Sequence, residues 1–267
     1  MAIYLLGDAI LDNFFWLENK ELDLMKEISN LNYKVYNYAI DETKVADMIN
    51  GIVPNKTYVT SRSYKYQITK NDKIYPLQEL SKKINVNKSF KSVYEDVGIR
   101  PIGLKNEDDN MVVISIGGNN INENFINILL GIDYFMDSII TKEFIKDYER
   151  IIETVKSSCK KILLISMYLP YLGPNSSYEM YSGYATSIMN KWHDFLHKIA
   201  RKYNIPVLDL NKTFNSDNRG HYGTIDTRPS NISSKCMAAC IAHVYKNYDG
   251  YHVYYAPNCN SKKIIVN

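Results

Sequence analysis

A three-layer α/β/α fold around a five-stranded parallel sheet is the class that this 267-residue sequence predicts. Three observations lead there. Five apolar runs recur along the chain, each too short for a helix yet continuously apolar, as strands buried on both faces are. Stretches of helical periodicity alternate with them, which argues for a sheet covered on both sides. Each run ends in small or polar residues, and right-handed crossovers bring all five C-terminal ends to one edge, where such sheets carry their chemistry.

The first run, Ile3 to Leu6, breaks at Gly7-Asp8-Ala9. Gly7 lets the chain turn sharply, and Asp8 can accept hydrogen bonds from freed backbone N–H groups where a helix starts. Ala9 then stands at the chemical edge with no chemistry to offer. Leu22 to Leu31 has helical spacing, Val35 to Ile40 is the second strand, and Val45 to Ile49 is helical again. About sixty residues then separate Gly51 from Met111, where a few would do. Residues 54–110 therefore read as an insertion within a single domain of residues 1–267. Inside it, Tyr58 to Ile68 is strand-like with Tyr64, Tyr66 and Ile68 on one side, and Asn71-Asp72 can turn it back toward Ile74-Tyr75 as a hairpin. The pattern resumes with strands at Met111 to Ile116, Ile162 to Met167 and Val207 to Leu210. Helices at Phe144 to Val155, Ile188 to Tyr203 and Ile232 to Tyr245 go with them, and residues 246–267 read as a C-terminal extension.

Composition narrows the class. With 45% hydrophobic and 23% charged residues the chain is ordinary globular protein, which excludes wholesale disorder. The net charge is +3, but Pro54 to Lys91 holds nine Lys or Arg against Asp72 and Glu79, a local +7 that leaves −4 for the remainder. That basic, Tyr-rich stretch could contact an anionic partner such as nucleic acid or a phospholipid head group, although charge runs of this kind are usually a solvated lysine surface. No apolar segment reaches the roughly 18 to 20 residues of a membrane span, and no signal-peptide layout is seen, so a soluble cytoplasmic protein is expected. The four cysteines form no CxxC pair; Cys236 and Cys240, four apart on a helix, read as small core residues rather than a metal site or disulfide.

The strand exits carry the chemistry. Gly7-Asp8-Ala9-Ile10 with Asp12-Asn13, Asn37 to Asp47, Val113-Ile-Ser-Ile-Gly-Gly-Asn-Asn120 and Tyr222 to Asn231 together resemble the motif blocks of the GDSL, or SGNH, hydrolase family. The resemblance runs from Ile3 to about Tyr245. It implies a flavodoxin-like SGNH fold and Ser-dependent acyl transfer on a small-molecule, glycan or lipid ester, with no cofactor: Ser attacks the carbonyl, His takes its proton, and backbone and Asn donors hold the oxyanion.

Carried over position by position, Ala9 occupies the nucleophile position and also supplies a backbone oxyanion donor. Glu42 occupies the place of the family's oxyanion glycine, and Asn119 matches its oxyanion asparagine. Asn120 stands where the family commonly has Asp, and with Asp8 it is expected to be structural. The family's Asp-x-x-His-Pro becomes Asp226-Thr-Arg228-Pro229, so Arg228 stands at the histidine position and Asp226 lies one residue nearer the proline than the usual acid. Arginine stays protonated and cannot act as the base, though it can hold a carboxylate or phosphate in bidentate fashion.

Among the histidines, His221 lies seven before Arg228 and reads as a surface-loop residue rather than a substitute base. His193-Asp-Phe-Leu-His197 has the spacing of a zinc-protease helix but Asp194 where that motif needs Glu. The stripe Ile188, Trp192, Phe195, Ile199 turns both rings toward the polar side, so no metal is expected. The expected function is an ester-hydrolase scaffold, carboxylesterase or deacylase in lineage and inactive as written. Two readings of Ala9 stay open: a serine exchanged for alanine in a working enzyme, or a natural pseudoenzyme or interaction protein that uses the cleft and the basic insertion to bind.

Overall fold

The computed structural model describes residues 2–13, 16–19, 22–39, 43–50, 109–123, 131–176, 178–179, 182–224 and 226–267. The expected hairpin and basic stretch of the insertion, and Glu42, lie outside the described residues.

The five expected strands form as β1 (Ala2–Gly7), β2 (Lys34–Asn37), β3 (Asn110–Ser115), β4 (Lys161–Ile165) and β5 (Val207–Leu208). They pair in the order β2-β1-β3-β4-β5, all parallel. The described sheet has seven strands rather than five: β6 (Val253–Tyr255) joins β5 in parallel, and β7 (Ile265–Val266) runs antiparallel to β6. The presumed extension 246–267 is thus built into the sheet. Strands of two and three residues carry too little periodicity to announce themselves.

The helices are α1 (Leu24–Asn30), α2 (Val45–Asn50), α3 (Gly118–Glu123), α4 (Ile132–Ile139), α5 (Lys142–Lys156), α6 (Ser182–Tyr203), α7 (Leu210–Thr213) and α8 (Asn231–Lys246). Several start where a side chain satisfies an otherwise unpaired N–H. The Asp23 carboxylate accepts from Lys26 N at 2.8 Å, Thr141 Oγ1 from Phe144 N at 3.1 Å, and Ser230 Oγ from Ser233 N at 3.2 Å.

Because successive strand side chains point to opposite faces, β1 feeds two cores. Tyr4 and Leu6 pack with α2, α4, α5 and α6, around Phe144, Tyr148, Trp192 and Phe195. Ile3 and Leu5 pack with α1 and α8. The chain leaves β1 for β2 on one side and β3 for β4 on the other, so strand order reverses between β1 and β3. A crevice opens outside the strand ends at such a point. No helix among the described residues is long and apolar enough to cross a membrane.

Candidate active site

Gly7 and Asp8 build the floor of that crevice. Gly7 has φ +134°, and a Cβ there would lie 1.7 Å from the Ser115 carbonyl oxygen, so only glycine lets β1 and β3 approach at their exits. The Asp8 N–H donates to that same oxygen at 2.9 Å. Its buried carboxylate accepts from Ile10 N at 3.2 Å and from Ser115 Oγ at 3.4 Å, and its carbonyl takes the N–H groups of Leu11 and Asp12. Asn13 then ties the turn outward, its amide donating to Ser234 Oγ at 2.7 Å and its Oδ1 accepting from Leu24 N at 3.2 Å. The result holds Ala9, 2% exposed, at the bottom of the crevice. Its N–H makes no hydrogen bond among the described residues.

The β3 exit supplies the second wall. Gly117, at φ +114°, lets the Trp192 indole pack so closely that a Cβ would meet it at 2.2 Å. The turn that results carries Asn119 to the crevice. The Asn119 amide donates one hydrogen to Thr43 O at 3.0 Å, leaving a second for a ligand, and Asn120 Oδ1 accepts from Val45 N at 3.2 Å to hold the start of α2.

The third wall is the loop before α8. Tyr168, which follows β4, donates its hydroxyl to Thr227 O at 2.9 Å and so fixes the loop beside Arg228. Burial holds the Tyr168 phenol well above its ordinary range against the opposing charge of Arg228, so it stays protonated as that donor. The Arg228 guanidinium lies 5.4 Å from the Trp16 ring centroid, a cation–π distance.

Asp8, Ala9, Asn119 and Arg228 line one cavity of about 130 Å³, with Ile121, Met167, Ile188 and Met189 among its apolar walls. Ala9, Asn119 and Arg228, expected far apart in sequence to share a site, are brought together. The chain matches the GDSL-like Lipase/Acylhydrolase family over residues 3–254. It belongs to that family. Its backbone is similar to the extracellular lipase of Streptomyces rimosus, at TM-score 0.51 and 11% identity over 88% of this chain and 95% of that one. It is also similar to the native aryl esterase of M. smegmatis, at TM-score 0.50 and 10% identity over 92% and 98%. At such identities the likeness is one of fold. No curated protein matches the chain.

Within this GDSL-like frame, other expected residues sit elsewhere. Asp226 is beside the cavity rather than in its lining: its Oδ1 lies 3.7 Å from Arg219 Nη1 and its Oδ2 accepts from Ser176 Oγ at 3.4 Å, while its carbonyl accepts from Tyr171 N. His221 is not on the surface. It is 3% exposed, and its Nδ1 accepts from Asn215 N at 2.9 Å. His193 and His197 lie between core and solvent. Both are half-buried, because the packed side of α6 also takes Met189, Leu196 and Ala200 and widens until the two rings lie at its margin.

Tyr168 and Met167 are site residues that the sequence reading passes over. Their signal was position: Met167 ends the fourth apolar run and Tyr168 follows it, at the edge where the chemistry is expected.

Proposed function

We propose that this GDSL-like protein binds a short acyl ester, or the carboxylate derived from it, in an ester-hydrolase cleft that does not turn it over. The observation that carries this reading is that Ala9 and Arg228 line the same cavity as Asn119. A methyl group at the nucleophile position cannot attack a carbonyl, and a guanidinium at the base position cannot accept a proton. The groups that remain are those of binding. The Ala9 N–H and the second Asn119 amide hydrogen are donors for a carbonyl or carboxylate oxygen, and the Arg228 cation complements the negative charge of a carboxylate. The apolar walls suit a short acyl chain, since a cavity near this volume takes a group about the size of benzene.

The test restores the missing groups. The parent protein is compared with Ala9→Ser, Arg228→His and the double variant on p-nitrophenyl acetate. The parent is expected at the buffer rate, and the double variant about a hundredfold or more above either single change, as a general base contributes roughly 10² to 10⁴. Turnover by the parent on the order of 1 s⁻¹ or faster would sink the reading. Butyrate binding, followed as a rise in melting temperature, is expected to be lost in Arg228→Gln.

A second reading rests on the +7 charge of Pro54 to Lys91: this stretch binds an anionic polymer or surface. Affinity for such a partner then falls steeply with salt and with neutralisation of Lys65, Lys70 and Lys73; salt-independent binding counts against it.

A further inference from the structure

His193 and His197, four residues apart on α6, share one side of a rigid helix. Asp209, 1% exposed, follows β5 and starts α7. One ligating atom from each of these three residues lies within 4.8 Å of the other two. We propose that His193, His197 and Asp209 form a binding site for a divalent transition-metal ion of the Zn²⁺ type.

The donor set is the first argument. Two imidazoles and a carboxylate suit borderline divalent ions, which commonly take three protein ligands and a water. The second argument is the shell around the ligands. The His193 Nε2–H donates to Met167 O at 3.1 Å, and His197 Nδ1 shares a hydrogen bond with Tyr251 Oη at 3.2 Å. Each ring thus spends one nitrogen on a protein oxygen and keeps the other, which is how metal-binding histidines are oriented.

The third argument is charge. The buried Asp209 carboxylate accepts from Lys212 N at 3.0 Å, but the Lys212 ammonium stands off at 3.8 Å on a side chain that is 52% exposed. That is beyond hydrogen-bond length. A buried carboxylate needs a close cation, and an ion between the two rings supplies one while Lys212 swings into water. Ligands around tetrahedral zinc sit about 2.0 to 2.1 Å from the metal and so about 3.3 Å apart. The closure required is at most about 1.5 Å, within reach of small rotations of the three side chains.

Such an ion would pin α6 to the exit of β5. It would also back the cavity wall, because His193 holds the carbonyl of Met167, whose residue lines the cavity. The site stands whether or not the cleft hydrolyses esters.

The test uses the full chain, stripped with EDTA and dialysed, then titrated with Zn²⁺ by calorimetry and with Co²⁺ by visible absorbance. One equivalent is expected to bind, with the intense visible bands of low-coordinate cobalt, and Zn²⁺ is expected to raise the melting temperature. His197→Gln and Asp209→Asn, the second of which keeps the cap to Lys212 N, should each weaken binding at least tenfold and abolish the thermal shift. His243→Gln, on another helix, should leave both unchanged. Lys212→Met retains all three ligands and removes the competing ammonium, so it should bind Zn²⁺ more tightly; this gain does not depend on a variant failing. Absence of saturable binding in the parent, or binding that survives His197→Gln unaltered, overturns the site.

Discussion

Replacing Gly7 by alanine tests the idea that the floor of the cleft is set by contact between the β1 and β3 exits. Two costs combine there. Position 7 has φ +134°, and the new Cβ would lie 1.7 Å from the Ser115 carbonyl oxygen, a backbone atom that already accepts the Asp8 N–H. Left-handed backbone in a residue with a side chain costs about 1 to 3 kcal/mol, and forcing an atom into a packed interior costs about 1 to 3 kcal/mol more. The sum, about 2 to 6 kcal/mol, is a large part of the roughly 5 to 15 kcal/mol that holds a domain together. Two companion variants separate the terms. Gly131 has φ +106° with nothing within 4 Å of its Cβ, so Gly131→Ala carries the conformational cost alone. Gly183 has open space and no positive φ, so Gly183→Ala should stabilise by about 0.4 to 1 kcal/mol. Urea unfolding of the three variants, with unchanged slopes, gives the differences. The reasoning fails if Gly7→Ala loses less than about 1 kcal/mol more than Gly131→Ala, since the packing cost would then be missing.

Two further predictions follow from buried groups. The Tyr148 hydroxyl is fully buried and makes no hydrogen bond among the described residues, and both burial and the charge of Asp8 push its phenol upward. Tyr148→Phe should therefore stabilise by about 1 kcal/mol, a rise in melting temperature of roughly 2 to 4 °C; a fall would mean that the hydroxyl bridges to the site floor. Burial raises the Cys159 thiol, and its contact with Cys240, together with burial, raises that of Cys236. A raised thiol holds less thiolate at pH 8, so mass spectrometry after iodoacetamide treatment should find both unmodified until urea is added. Fast alkylation of Cys159 in the native protein would contradict its placement.

Much of the fold could be read from the chain because burial on both sides leaves an unmistakable trace. Ile3 and Leu5 serve one core and Tyr4 and Leu6 the other, which is why the run is continuous rather than alternating. Ala9, Asn119 and Arg228 were legible as positions because the first two follow recognisable strands and the third stands just before a recognisable helix. Their meeting in one cavity depends on the reversal of strand order between β1 and β3, which no local pattern encodes. Helix α4 was there to be seen, since Ile132, Phe135, Met136 and Ile139 have helical spacing. Other features had no local trace. The burial of His221 depends on a backbone N–H at Asn215, the Asp226 carboxylate is held between Arg219 and Ser176, and the two histidines of α6 are drawn inward by Met167 after β4 and by Tyr251 before β6.

The antiparallel strand β7 has a consequence for association. A long parallel sheet offers unpaired backbone at its flanks, and an exposed flank can template pairing with another molecule. Here the flank of β6 is taken by a strand of two residues running the opposite way, clasped by hydrogen bonds between Val253 and Asn267 at 2.9 and 3.0 Å. A second molecule approaching from that side meets a stub rather than a ladder, with Lys262 and Lys263 just before it. Short length and like charge at this rim are what keep such sheets from joining edge to edge, so removing β7 should show itself first as aggregation.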